Sequence, residues 1–267
     1  MDGFLASPGS FDAVGDFGVP LPRDYMSYLL GFTQEDVGRI VAELSSERTD
    51  IGSSMESVLR VFRDILDDMK SAPRPGMLGS LVLAREGERM KDDRIAIMFR
   101  HLWYAGTLTL STLLPASILW LCRRPDIAQS LRDTPEMIPA FISETIRLET
   151  PIQFVPRTAN VDMVIHGRKV SKGSLLRLCL AAANRDPKVF PDPDAMDLAR
   201  PVYRNLAMGY GDHFCLGALH ARTIAENSIR RLLQASRSIR CLTPESELEY
   251  GHSPIFRALK KLDVILE

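Results

Sequence analysis

The sequence predicts a mainly α-helical protein with a small antiparallel β region, built as one domain over residues 1–267. Three observations carry that reading. Apolar residues recur at helical spacing between Val37 and Cys122, again to Glu149, and once more after Cys215. Between Val161 and Leu180 the texture changes to short runs rich in β-branched residues and Leu, separated by Gly167 and Gly173. A chain of 267 residues with 45% hydrophobic and 25% charged side chains can bury a substantial core and has an ordinary globular composition.

Met1 to Leu30 is rich in Gly and Pro and turns helical around Tyr25 to Leu30, where Gly31 is the stop. Thr33 with Asp36 three residues on is a variant of the capping box, and Val37, Ile40, Val41 and Leu44 follow on one helical face. A second amphipathic helix carries Met55, Val58, Leu59, Phe62, Ile65, Leu66 and Met69, and the Pro73–Gly76 stretch ends it. A long helix runs from about Asp92 to Cys122, with Arg123 and Arg124 at its negative end. Pro125 opens a shorter helix. Pro139 sits in the first turn of the next, which reaches Glu149 and is closed by Pro151. Val161–Ile165, Lys169–Val170 and Leu175–Leu180 form the sheet. Asp186 to Pro201 is a loop, a final helix follows Cys215 to about Ala235, and the remainder is irregular or strand.

The charge balance narrows the partners. With 33 basic and 34 acidic side chains the net charge is −1, which gives neither nucleic acid nor an acidic membrane surface anything to hold. The four cysteines show no metal or disulfide-framework spacing, so a reducing, cytoplasmic setting is expected. No basic region followed by an apolar one opens the chain, which argues against a signal peptide. Leu102 to Cys122 is free of charge and long enough to span a bilayer. Thr107, Thr109, Ser111, Thr112, Ser117, Gly106 and Pro115 dilute it, and a buried central helix is the expectation.

The most specific local signal is Met208-Gly209-Tyr210-Gly211-Asp212-His213-Phe214-Cys215-Leu216-Gly217. Its glycines permit a tight turn and close approach of a flat ligand to the backbone. Its cysteine stands just before a helix, and a helix N-terminus favours thiolate over thiol. Such a thiolate suits haem iron. Three other readings compete. A lone Cys is commonly a small buried hydrophobe. A dinucleotide G-x-G-x-x-G fails because Phe214 holds the third glycine position. A zinc site from His213, Cys215 and His220 lacks a fourth ligand.

On these residues the chain resembles the cytochrome P-450 superfamily. The loop is similar to its signature F-x-x-G-x-x-x-C-x-G, with Met208 in place of Phe. Glu144–Arg147 resembles the family's E-x-x-R, and at this spacing the two side chains share a helix face. Asp197–Arg200 resembles the later segment whose Arg joins that pair, and Ala182–Pro187 matches bacterial members. The resemblance implies haem b as cofactor, with Cys215 as iron ligand and Arg157 and His213 at the propionates. It also implies Gly209, Gly211 and Gly217 lining the loop, Ala105 and Gly106 on the long helix beside the haem, and Glu144, Arg147 and Arg200 as a buried charge cluster beneath the Cys loop.

Two departures qualify the functional expectation. The family's acid–alcohol pair in the long helix is here Leu108-Thr109, so Thr109 keeps the alcohol while Leu108 cannot relay a proton. Thr109 is equally explained as a helix Thr bonding its own backbone. Second, Phe11–Pro22 resembles a stretch well inside a bacterial member, so about the N-terminal third of the family's chain is expected to be absent, or Met1 to be a mis-set start. The leading expectation is a monooxygenase-type haem-thiolate oxidoreductase acting on a small molecule in bacterial secondary metabolism, with an electron-transfer partner. The alternatives are a haem-dependent isomerase, dehydratase or peroxide-driven enzyme, and a non-catalytic helper of a partner such as a glycosyltransferase. Substrate contacts are expected from Leu29–Arg60, the long helix, Ile152–Val155 and Ser253–Phe256. A homodimer or a partner chain is expected to cover an open edge at Val161–Leu180 and an uncovered apolar face around Trp103, Tyr104 and Leu110.

Overall fold

A computed structural model describes residues 9–45, 51–84, 90–201, 205–251, 253 and 255–267, with the backbone alone at 45 and 51–55. Met55 of the expected second helix and residue 254 of the expected substrate segment therefore lie outside the described side chains. The architecture is mainly helical with small antiparallel sheets, as the periodicities predict. The chain divides into two compact units, residues 19–108 and residues 1–18 with 109–267.

The unit of residues 19–108 is a helical cluster. Helix α1 (Pro20–Leu30) begins five residues before the expected start at Tyr25, because Pro20 and Pro22 occupy a first turn that needs no amide donors. The Gly31 amide closes it on Ser27 O at 2.9 Å. Helix α2 (Gln34–Ser45) is opened by the Thr33–Asp36 box: Thr33 N donates to Asp36 Oδ2 at 2.8 Å, and Asp36 N to Thr33 Oγ1 at 3.1 Å. Helix α3 (Ile51–Ser71) packs on α2 through its apolar face. Helix α4 (Met77–Leu83), which the periodicity did not reveal, follows the Pro-Gly break. Leu30, Ile40, Phe62, Ile65, Met69, Phe99 and Trp103 form the core of this unit.

The long helix α5 (Asp92–Arg123) contributes to both units. It is long and apolar enough to cross a membrane, yet 61% of its most apolar window is buried. The expected open face is corrected here: Trp103 is 4% and Leu110 3% exposed. Phe62 of α3 meets the Trp103 ring edge-on with centroids 6.5 Å apart, so an aromatic side chain occupies the space expected to be bare.

In the other unit, α6 (Pro125–Asp133) and α7 (Ile138–Glu149) precede the β segment, and α9 (Ala218–Ala235) packs on both. Phe141, Ile146, Ile229, Leu232 and Val264 are buried in its core. The expected single sheet is two separate ribbons. Strand β2 (Phe154–Thr158) pairs antiparallel with β5 (Leu175–Cys179) in the register Pro156↔Arg177, and β3 (Met163–Ile165) pairs with β4 (Arg168–Val170). The short helix α8 (Leu180–Ala183) leads out of β5. A third sheet joins the chain ends in the order β1 (Ser10–Asp12), β7 (Asp263–Leu266), β6 (Ile239–Cys241). Val161, Val164, Ile165, Leu175 and Leu178 are exposed along the two ribbons.

Candidate functional site

The site is built on α7. Every residue from Phe141 to Glu149 is buried, so Glu144 and Arg147 must find their partners inside the protein. They pair bidentately: Arg147 Nε donates to Glu144 Oε1 and Nη2 to Glu144 Oε2, both at 2.8 Å. The remaining Arg147 donors reach backbone carbonyls of the 184–195 segment, at Asn184 (3.0 Å), Pro193 (2.6 Å) and Ala195 (2.9 Å). The guanidinium also lies 5.1 Å from the Phe190 ring centroid. Arg200 Nε stands 3.3 Å from Glu144 Oε2, an ion-pair contact without hydrogen-bond geometry, while its Nη2 donates to the carbonyls of Pro191 and Asp192. The structure thus brings Glu144, Arg147 and Arg200 together in one buried cluster.

The cysteine loop is shaped by its backbone. Gly209 N donates to Leu206 O at 2.9 Å, a short turn spans Gly211–His213, and Phe214 N donates to Gly211 O at 2.9 Å. Cys215 N donates to Met208 O at 2.7 Å, which sets the thiol one residue pair ahead of α9. Gly209 has φ +78°, and a Cβ there would come within 2.4 Å of the His213 carbonyl oxygen, so this position requires glycine. Gly217 caps α9 without a side-chain hydrogen bond, leaving the first amides of an 18-residue helix beside Cys215.

Exposure separates Cys215 from the other cysteines. Cys215 is exposed, whereas Cys122, Cys179 and Cys241 are half-buried. Burial pushes the Cys122 thiol up to about 12. It raises Cys241 as well, whose Sγ donates to Thr243 O at 3.1 Å. Around Cys215 the side chains of Tyr210, Phe214, Leu216 and Leu219 are exposed, Leu216 at 89%. At Gly211 and Gly217 an added Cβ would meet nothing within 4 Å. An open, glycine-flanked, largely apolar surface with one accessible sulfur at a helix N-terminus fits a broad flat group ligated by a single thiolate. Among the described residues no group of three His, Cys, Asp or Glu could hold a metal ion, so the His213–Cys215–His220 zinc arrangement does not form.

The remaining expected residues are dispersed. Arg157 is half-buried on β2 opposite Leu176, and its Nη1 donates to Pro156 O at 2.8 Å. His213 is exposed at the end of the loop turn. On α5, Ala105 and Leu108 are exposed and Thr109 is half-buried. A Cβ at Gly106 would sit 2.4 Å from Met26 Sδ, so packing against α1 already explains this glycine. Ile152 and Phe256 form an isolated bridge, and Gln153 N donates to Ile255 O at 2.7 Å, which joins two of the expected substrate segments. In the unit of residues 19–108, an open cavity of about 970 Å³ is lined by Leu29, Phe32, Arg74, Met98 and Phe99 among others.

Sequence reasoning held Asn184 only as part of the Ala182–Pro187 match, with no role of its own, and missed Thr150. Both are fully buried polar residues bonded to each other, Asn184 Nδ2 to Thr150 Oγ1 at 2.9 Å. The available signal was an amide closing the apolar Leu180–Ala183 run, just after a strand.

Comparison with known proteins places these features among relatives. The family profile described as "Cytochrome P450" matches residues 135–237. The chain is 29% identical over 270 residues to the "Biotin biosynthesis cytochrome P450" of Bacillus subtilis (strain 168), covering 96% of this chain and 67% of that protein. It is 32% identical over 257 residues to the "Putative cytochrome P450 140" of Mycobacterium tuberculosis (strain ATCC 25618 / H37Rv), covering 90% and 59%. The solved structure of the tirandamycin C-bound P450 monooxygenase TamI superimposes with a TM-score of 0.89 at 28% identity, covering 99% of this chain and 68% of that one. The chain therefore spans between 59% and 67% of the length of these two curated relatives.

Proposed function

The chain belongs to the cytochrome P450 family, and on that premise we propose that residues 1–267 act as one haem-binding domain, with Cys215 as the thiolate that would hold the iron, that oxidises a small molecule of bacterial secondary metabolism. The observation that carries this is the placement of Cys215: the exposed cysteine, held by the Met208 carbonyl at 2.7 Å and set at the N-terminus of α9. Bound there, haem b supplies a redox-active iron whose thiolate ligand favours O–O cleavage, with electrons drawn from a partner protein.

The chain's own residues set the terms of that chemistry. The loop hydrogen bonds hold Cys215 at the N-terminal end of α9, where a helix dipole favours an anionic ligand atom. Arg157 and His213 would supply hydrogen-bond donors to the haem carboxylates. Thr109 Oγ1 can hold a proton or a water on the α5 side, whereas Leu108, with an aliphatic side chain, passes no proton on. Leu108 is the specific observation that favours a second reading, haem chemistry without reductive oxygen activation, such as isomerisation, dehydration or peroxide-driven oxidation.

Spectra of variants test the ligand. Cys215→Ala should abolish the thiolate-type haem spectrum while Cys122→Ala and Cys179→Ala preserve it, and the reverse pattern would refute the assignment. Leu108→Glu separates the two chemistries. If the monooxygenase reading holds, product formed per reducing equivalent rises in the folded variant, and an unchanged or lower ratio favours the second reading.

A further inference from the structure

We propose that Asn184 is the positioning residue of the cysteine loop, fastening the loop's entry to α7 through a closed ring of buried hydrogen bonds. What the loop presents rests on the haem-thiolate reading, but the bonds themselves do not.

The ring runs through three residues. Arg147 Nη1 donates to the Asn184 carbonyl at 3.0 Å, Asn184 Nδ2 donates to Thr150 Oγ1 at 2.9 Å, and Thr150 Oγ1 donates to the Arg147 carbonyl at 2.6 Å. Asn184 and Thr150 have no exposed surface and Arg147 has 1%. One bond leaves the ring: Leu206 N donates to Asn184 Oδ1 at 2.7 Å.

The direction of every bond follows from the chemistry of its ends. The Leu206 amide is only a donor, so Asn184 must turn its oxygen there and its NH₂ to Thr150. The hydroxyl of Thr150, accepting that hydrogen bond, is left to donate its own hydrogen to Arg147 O. An aspartate has no proton to give Thr150 and would draw the Thr150 hydroxyl away from Arg147 O, and an alanine would leave the part-buried Leu206 amide without its acceptor and Thr150 Oγ1 without its donor. The side chain at 184 therefore needs one acceptor and one donor at this reach.

The anchored amide leads directly to the cysteine. Leu206 O accepts from Gly209 N at 2.9 Å, and two residues after Leu206 the carbonyl of Met208 accepts from Cys215 N at 2.7 Å. Asn184 thus transmits the position of the Arg147 turn into the turn that holds Cys215. It touches neither the sulfur nor its surroundings, and acts through Leu206 and Met208.

The test uses the full chain with two readouts. Amide hydrogen exchange at Leu206 and Cys215 reports the fastening without haem, and the reduced carbon monoxide spectrum reports whether Cys215 remains a thiolate ligand. In Asn184→Ala, exchange at both amides should accelerate by ~10-fold or more, while the α9 amides at Ile229–Leu232 keep their protection. The spectrum of the same variant should move from thiolate towards neutral-thiol type. If Asn184→Ala does not fold, Thr150→Val removes the Asn184–Thr150 bond that orients the side chain while leaving Asn184 Oδ1 in place, and should show both changes to a smaller extent, with Thr150→Ser restoring the wild-type behaviour. A folded Asn184→Ala or Thr150→Val with unchanged Leu206 and Cys215 exchange overturns the proposal, and so does acceleration spread evenly over α9. Wild-type protein that binds no haem would fail the haem-thiolate reading alone, because the exchange readout still decides the fastening.

Discussion

The Glu144–Arg147–Arg200 cluster and the loop from Leu206 to Gly217 lie in the same compact unit and differ in where their side chains go. In the cluster, all five N–H donors of Arg147 end on protein acceptors, Glu144 and Arg147 leave almost nothing exposed, and Arg200 closes the edge half-buried. In the loop, backbone hydrogen bonds fix the path while Tyr210, Phe214 and Leu216 are exposed, as is Leu219 in the first turn of α9. A network that closes on itself is tied to folding, because removing any member strands a buried partner. A backbone-shaped loop with exposed side chains is tied to binding, because its side chains contribute little to the folded chain alone.

That contrast predicts a graded set of effects. The largest should come from Arg147→Ala, which takes the bidentate partner from the buried Glu144 carboxylate and leaves it only the Arg200 contact at 3.3 Å and the Asp197 amide at 3.2 Å. A loss of roughly 3–5 kcal/mol is expected, a fall in melting temperature on the order of 10 °C, together with insoluble or haem-poor protein. Denaturant unfolding reads it, and an unchanged midpoint would break the comparison at its buried end. Next is Gly209→Ala, which forces a Cβ onto the His213 carbonyl in a left-handed backbone. The strain amounts to about 1–3 kcal/mol, and haem content should fall more than stability does. Equal losses of both would mean that the loop is as much a part of folding as the cluster.

Smaller still, Leu216→Ser and Leu219→Ser should shift stability by no more than about 0.5 kcal/mol, since both side chains are already mostly in solvent. A loss above ~2 kcal/mol in either would show that the loop side chains are packed after all. Alkylation leaves the fold untouched and sharpens the contrast at sulfur. In haem-free protein at neutral pH, Cys215 should react first. Cys122, its thiol raised by burial to about 12, stays protonated and should be labelled only as pH climbs towards that value. Mass spectrometry of the labelled peptides checks the order, and early labelling of Cys122 would contradict its placement.

Much of the scaffold was legible because its signals are local. The Thr33–Asp36 box, the prolines opening α6 and α7, and the charge-free Leu102–Cys122 stretch of α5 each specify an element from local signals. The cysteine loop was legible for the same reason, since Gly209, Gly211, Cys215 and Gly217 act within one turn. What stayed hidden depends on distant partners or weak periods. Helix α4 has seven residues with a glycine in the middle, too short for a helical period to stand out. The pairing of β1 with β7 joins opposite ends of the chain. The covering of Trp103 by Phe62 could not be read from the helix that carries Trp103. The bonds of Asn184 to Thr150 and Leu206 cross three segments, and no spacing within any one of them announces the ring.

The central claim is that Cys215, delivered by its loop, ligates haem iron. The measurement that meets it most directly is the absorption spectrum of the purified full chain, loaded with haem, reduced and exposed to carbon monoxide. A thiolate-type band is expected that disappears in Cys215→Ala and survives in Cys122→Ala. A chain that takes up no haem, or one whose thiolate-type band persists without Cys215, would contradict it.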